Sequence, residues 1–130
     1  MEIGEIVDKE GYTQCDCTGD YSTDEFIEIL NKAILYSIQR KKRTVLINVS
    51  AVISEPLDTL ERYTIGEQIA AAQRSHGELV TIAVVGTVPL IDPNKFAETV
   101  ALNRGAVGKA FFDLEEAISW IAGLPGHKGK

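Results

Sequence analysis

Val45, Leu46, Ile47 and Val49 form an almost unbroken apolar run between Thr44 and Ser50. A run this short and this apolar fits a strand buried on both faces. Residues 79–85 have the same character and end at Gly86. Strands of this kind belong to sheets covered by helices, and their carboxyl ends are where ligands and regulatory chemistry gather. The stretch 44–58, read as strand, loop and helix start, therefore marks where a site belongs without saying what it does.

The rest of the chain can be ordered around that strand. Residues 3–9 and 12–18 read as two strands joined at Glu10 and Gly11 in a hairpin, with Gly19 and Asp20 ending the second. Ser22 and Glu25 are spaced as a capping box, opening a helix to about Arg40. Its core side is Phe26, Leu30, Ala33 and Ser37, flanked by Ile27, Ile34 and Ile38. The basic run 40–43 is expected to complement the negative end of that helix, the alternative being an anion-binding patch.

Asp58 and Glu61 make a second capping box, so the next helix is expected to begin there, with Pro56 leaving open a start one turn earlier. Its apolar residues are Leu60, Ile65, Ile69, Ala71 and Ala72, and Gly66 with Ala70 permits close approach of a neighbour. Gly77 ends it near residue 75, making His76 a cap residue. After strand 79–85, Asp92 is the expected N-cap with Pro93 in the first turn, and Phe96, Val100 and Ala101 face inward. Residues 109–112 form the last strand. Asp113 and Glu116 open a helix burying Leu114, Ala117, Ile118 and Ile121, with Trp120 beside them.

The order ββαβαβαβα predicts an α/β fold: an N-terminal β-hairpin, then βα units with right-handed crossovers. The sheet is mostly parallel and five-stranded, with four helices. One domain is expected over 1–123, followed by a flexible tail at 124–130.

Charge and composition exclude several functions. Residues 1–28 carry nine acidic side chains and one basic, within a formal net charge of −6. Such a chain does not attract phosphate backbones or anionic lipid heads, so no nucleic-acid partner and no membrane insertion are expected. The acidic segment reads as protection of a sheet edge or as a docking face for a basic partner. The acidic amino terminus lacks a secretory pattern, and a cytoplasmic location is expected. Cys15 and Cys17 read as buried thiols; on one strand face, two apart, they are poorly placed for a relaxed disulfide. With only His76 and His127 in addition, no metal site is expected.

No phosphate-cradling glycine loop, nucleophile elbow or base–nucleophile pair occurs, so neither a catalytic residue nor a cofactor is expected. What remains is the loop 50–57. Ser50, Ser54, Glu55 and Asp58 are its candidate regulatory or partner-binding residues. A phosphate on a serine there would be stabilised by the following helix amino terminus; the competing reading is a serine that only shapes the turn.

Over residues 6–122 the pattern resembles the STAS domain of anti-sigma-factor antagonists, in its SpoIIAA-like branch of small uncharacterised bacterial proteins. The resemblance is carried by 19–22, 45–50, 60–67, 82–86, 92–105 and 111–121. It implies a bacterial signalling module that docks on a protein partner such as a kinase or regulator, switched by phosphorylation of a serine in an Asp-Ser-Ser-Gly-like motif. That motif is absent where Ser54 to Asp58 stand here, so the switch does not carry over. The branch is also likened to Sec14-type lipid-binding proteins. The alternative function is therefore a carrier or sensor of a small apolar ligand or lipid, held around Leu57, Leu60 and Tyr63. An exposed sheet edge would allow a homodimer.

Overall fold

A computed structural model describes residues 1–125; of the tail expected at 124–130, residues 126–130 lie outside the described residues. Strands β1 (Glu2–Lys9) and β2 (Tyr12–Asp20) form the hairpin, turning at Gly11 with φ 87°, a left-handed conformation that glycine adopts without penalty. Helix α1 (Thr23–Gln39) leads to β3 (Thr44–Ile53), α2 (Thr59–Arg74) and β4 (Thr81–Val85). Then come α3 (Phe96–Asn103), β5 (Gly108–Phe111) and α4 (Leu114–Ala122). The sheet order is β1-β2-β3-β4-β5, antiparallel between β1 and β2 and parallel elsewhere. The expected fold class is the one present, with β3 in the middle of the sheet.

Side-chain alternation divides the core. From β3, Val45, Ile47 and Val49 face one layer with Phe26, Leu30 and Ile34 of α1 and Ile65 and Ala72 of α2. Leu46 faces the other layer, where Ala83, Val85 and Phe111 meet Ala117 and Ile121 of α4. Leu30, Ile34, Leu46 and Ile47 are fully buried, each contributing roughly 2 kcal/mol of transfer free energy.

Several boundaries differ from expectation. Gly19 and Asp20 belong to β2, because they continue to pair with Val52 and Ile53 of β3. That pairing also lengthens β3, so Ser50 lies within the strand and the loop shortens to 54–58. Asp16 pairs with Asn48 and Thr18 with Ala51, which places one extra residue in β3. This bulge resets the alternation, so Val49 and Val52 both point inward. Leu79 stands outside β4 and is exposed.

Helix α3 starts three residues later than Pro93. Asp92 Oδ1 still accepts from Phe96 N at 3.0 Å, but the N-cap position is Lys95, in a left-handed conformation (φ 52°) with no side-chain cap. Arg40 is the C-cap of α1 and stacks on Tyr36 at 3.7 Å; Lys42 reaches Lys9 O and Asp8 instead of the helix end. His76 does not cap α2; its Nε2 meets Asn31 Oδ1 at 2.8 Å, and Ser75 is the C-cap. In α4 the fully inward residues are Ala117 and Ile121.

The largest departure is the buried side of α2. Leu60 and Ala71 are exposed, whereas Arg62 and Gln73 are buried. Gln73 Nε2 donates to Val80 O at 2.7 Å and Val107 O at 2.8 Å, and its Oε1 accepts from Val107 N at 2.8 Å. One amide thus ties the segments leading into β4 and β5 to the end of α2. The close approach predicted at Gly66 is present: α3 crosses so tightly that a Cβ there would lie 2.6 Å from Ala97 O.

Candidate functional site

The parallel strands deliver their carboxyl ends to one side of the molecule, where the loop 54–58 crosses to α2. Asp58 holds the helix start: its Oδ1 accepts from Glu61 N at 2.7 Å, and its own N–H donates to Glu61 Oε1 at 3.0 Å. Beside this cap lies an open groove of about 480 Å³. It is lined by the acidic residues Asp20, Glu55 and Glu61 and by the apolar Ile53, Pro56 and Leu57. Tyr21 N donates to Ile53 O at 2.8 Å, tying the end of β2 to the end of β3 beneath it.

The candidate residues divide between different environments. Ser54 and Glu55 line the groove, and Ser54 Oγ donates to Glu55 O at 2.7 Å. Ser50 lies back in β3, exposed, with its N–H held by Asn48 Oδ1 at 3.1 Å. Asp58 serves as the helix cap. Leu57 is half-buried, packs on the core and lines the groove. Leu60 is 72% exposed and, with Ile53 at 69%, is one of the two most exposed large apolar side chains at this end. Tyr63 lies on the α2–α3 surface, where its hydroxyl accepts from Arg104, which also approaches Glu67 at 3.3 Å. Leu57, Leu60 and Tyr63 therefore share no single hollow.

Arg62 is the organising residue that the sequence pattern did not reveal. Nε donates to Leu57 O at 3.1 Å, Nη1 to Leu90 O at 2.8 Å, and Nη2 to Pro89 O at 2.9 Å. Asp92 Oδ1 stands 3.4 Å from Nη1. The planar fork presents three separate nitrogens to three carbonyls, a spread that the single nitrogen of lysine lacks, and it binds the loop before α2 to the loop before α3. The one available signal was its place one turn before Ile65 and Gly66 on the inward stripe.

A second hollow lies deeper, between the sheet and helices α2 and α3, with a volume of about 100 Å³. Ile65, Ile69, Ile82, Val84, Leu90 and Ala101 give it an apolar lining. The signal for it is the pairing of Ile65 with Ile69 and Ala97 with Ala101, each one turn apart.

Tyr21 lines both hollows. Burial pushes its pKa above the ordinary 10.0, opposed by the 3.0 Å hydrogen bond from Thr23 Oγ1; burial also raises Tyr12. A raised folded-state value means a stabilising contribution that is complete below pH 10 and lost as pH rises through the folded value. Tyr21→Phe and Tyr12→Phe variants, compared by ultraviolet difference titration, are expected to remove tyrosinate signals developing above pH 10. Stability in urea should fall over the same range, and loss beginning below it would contradict this. Cys15 and Cys17 are buried free thiols with sulfurs 3.9 Å apart. The hydrogen bond between them, followed by burial, pushes Cys15 up.

Among the described residues no helix is long and apolar enough to cross a membrane, and no three His, Cys, Asp or Glu side chains are grouped to hold a metal ion. No protein-family model and no curated protein matches the sequence. In structure the chain is similar to an anti-sigma factor antagonist from Mycobacterium paratuberculosis, with a TM-score of 0.57 and 18% sequence identity. The likeness covers 92% of this chain and 93% of that one. The STAS fold expected from the sequence is therefore the fold of this chain, in its α/β layers, its N-terminal hairpin and its parallel sheet.

Proposed function

We propose that this chain is a non-enzymatic, STAS-like regulatory module that docks on a protein partner, such as a kinase or regulator, through the carboxyl end of its sheet. One observation carries the reading: Ile53 and Leu60, left uncovered, stand at an end of the molecule whose groove is lined by Asp20, Glu55 and Glu61. Exposed apolar anchors within a charged surround are the make-up of a protein interface. The partner surface that fits is basic with an apolar centre. Asp58 contributes indirectly, by fixing the first turn of α2, and the module works without the serine switch of its signalling relatives. Its cytoplasmic location follows from the same reading.

The variant that tests this is Leu60→Asp with Glu55→Lys. Neither side chain supports the fold, so stability is expected to change by less than about 0.5 kcal/mol. Asp58→Lys is unsuitable because it would also remove the cap. In pull-downs from the native host, proteins retained by wild type are expected to be lost with the double variant. The purified pair should also weaken as salt rises. An unchanged partner set would overturn the docking face.

A second reading, a carrier of a small apolar ligand, is favoured by a separate observation, the apolar hollow beneath α2 and α3. In this reading the ligand sits inside the layer, away from Leu60 and Tyr63.

A further inference from the structure

We infer that the hollow beneath α2 and α3 is a binding site for a short-chain carboxylate, entered at the seam between α3 and β5, with Lys95 receiving the carboxylate. The inference rests on the second reading above and adds the ligand class and the entrance.

The lining shows where the hollow opens. Its inner residues, such as Phe26, Val49 and Ile82, are buried. Leu102, Val107 and Lys109, at the other end, are exposed, and all three flank the seam between α3 and β5. This seam is closed by two side chains from the start of α3. Lys95 Nζ donates to Ala110 O at 2.7 Å, and Glu98 Oε1 accepts from Ala110 N at 2.5 Å. Together they take both backbone groups that Ala110 turns away from β4, so the edge of the sheet is occupied by a clasp of two side chains.

Lys95 is held at this place against a local preference. It is a non-glycine residue at φ 52° and ψ 50° in the N-cap position, and its side chain does not cap the helix. A left-handed conformation costs a lysine about 1–2 kcal/mol, and such outliers collect where geometry serves a site. The conformation goes with an ammonium group aimed at the mouth, 5.2 Å from the Phe112 ring centre. With one N–H given to Ala110 O, two remain for another acceptor.

Charge selects the head of the ligand. At the mouth stand Lys95, Lys109 and Glu98; Asp92, further along the lining, is already paired with Arg62. Among the described residues no carboxylate lies within 4.0 Å of the Lys95 or Lys109 ammonium group. The mouth therefore carries an excess of one positive charge, which favours an anion over an amine. Volume selects the tail. At about 100 Å³ the hollow is smaller than the ~150 Å³ cavity known to take up benzene. By the same measure it encloses about four carbons, which with the carboxylate at the mouth suits an acid of about four to six carbons and not a long lipid.

The test uses the full chain, titrated with butanoate, hexanoate and decanoate and with hexan-1-ol and hexylamine, followed by amide chemical shifts. Hexanoate is expected to shift residues of α3, β5 and α2 and to bind about tenfold tighter than hexan-1-ol or hexylamine, the effect of one charge-assisted contact. Decanoate should gain nothing over hexanoate. Lys95→Asn, which keeps a residue tolerant of the left-handed conformation, should bring hexanoate to the level of hexan-1-ol while leaving hexan-1-ol unchanged. Ala101→Leu, or the smaller change Ala97→Val if the first does not fold, should remove binding of both. Equal binding of acid, alcohol and amine would overturn the carboxylate assignment while leaving the apolar-ligand reading in place. Absence of binding by any of them would overturn both. Tighter binding of decanoate would overturn the size limit.

Discussion

Arg62→Met is expected to lower stability by about 3–5 kcal/mol, because the methionine fills the space but donates to none of the three carbonyls. Leu57 O, Pro89 O and Leu90 O each lose a charged donor at 2.8–3.1 Å. Hydrogen bonds to charged groups contribute about 1.5–3 kcal/mol each, and buried acceptors left empty add a desolvation penalty. The Coulombic link to Asp92 at 3.4 Å is the smaller part, since Asp92 also caps Phe96 N and keeps some contact with water. The check is urea unfolding, where the midpoint should fall with the slope unchanged. Arg62→Lys should recover only a minor share, because one ammonium group cannot span carbonyls on two loops. A loss below about 1 kcal/mol for Arg62→Met would mean that the loops 54–58 and 86–95 are held by something else. Hydrogen exchange in these loops should accelerate with the variant, since the only hydrogen-bonded link between them among the described residues runs through this guanidinium.

Gly66→Ala is expected to cost about 2–4 kcal/mol, although alanine is the better helix former. Propensity alone would stabilise α2 by about 1 kcal/mol. Against that, the new methyl group would lie 2.6 Å from Ala97 O, 2.7 Å from Val100 Cβ and 2.9 Å from Val100 Cγ1. The first of these atoms belongs to the α3 backbone and cannot rotate aside, so the two helices must separate, and overpacking of this kind outweighs propensity. Thermal unfolding measures the sign directly: a raised midpoint would show that α3 can shift at little cost. Moving α3 would also disturb Lys95 and Glu98, so the variant should loosen the Ala110 clasp as well.

Much of the fold was legible because local signals agreed with one another. Asp58 and Glu61 are spaced as a reciprocal cap, and the cap is present with both hydrogen bonds made. The apolar run of β3 required burial on both faces, and Val45, Leu46 and Ile47 have it. Errors appeared where a long-range partner decided the local state. Gly19 and Asp20 look like a strand end but remain in the sheet because Val52 and Ile53 lie alongside. Pro93 looks like a first helical residue, but the start of α3 is set at Lys95.

The candidate site was legible in place and only partly in membership. Strand ends and capping residues announce a loop, so Ser54, Glu55 and Asp58 were found together. Their neighbours Asp20, the last residue of β2, and Tyr21, which follows it, stand more than 30 residues away in sequence, and nothing local points to them. The apolar hollow was missed because it is formed by small residues of α3 facing isoleucines of α2, a relation that depends on how tightly two helices cross.

By itself the sequence determined the element order, the covered parallel sheet, the two-sided burial of the strand that begins at Thr44 and the cap that starts α2. These follow from periodicity, capping and the need to bury apolar strands, all of which act over a few residues. Only the tertiary structure decided that Arg62 and Gln73 are inside, that Leu60 is outside, and that Lys95 and Glu98 close the edge at Ala110. Polar side chains can be buried when their partners are in place, and those partners are backbone groups of distant segments. Their suitability becomes visible only once the chain has folded.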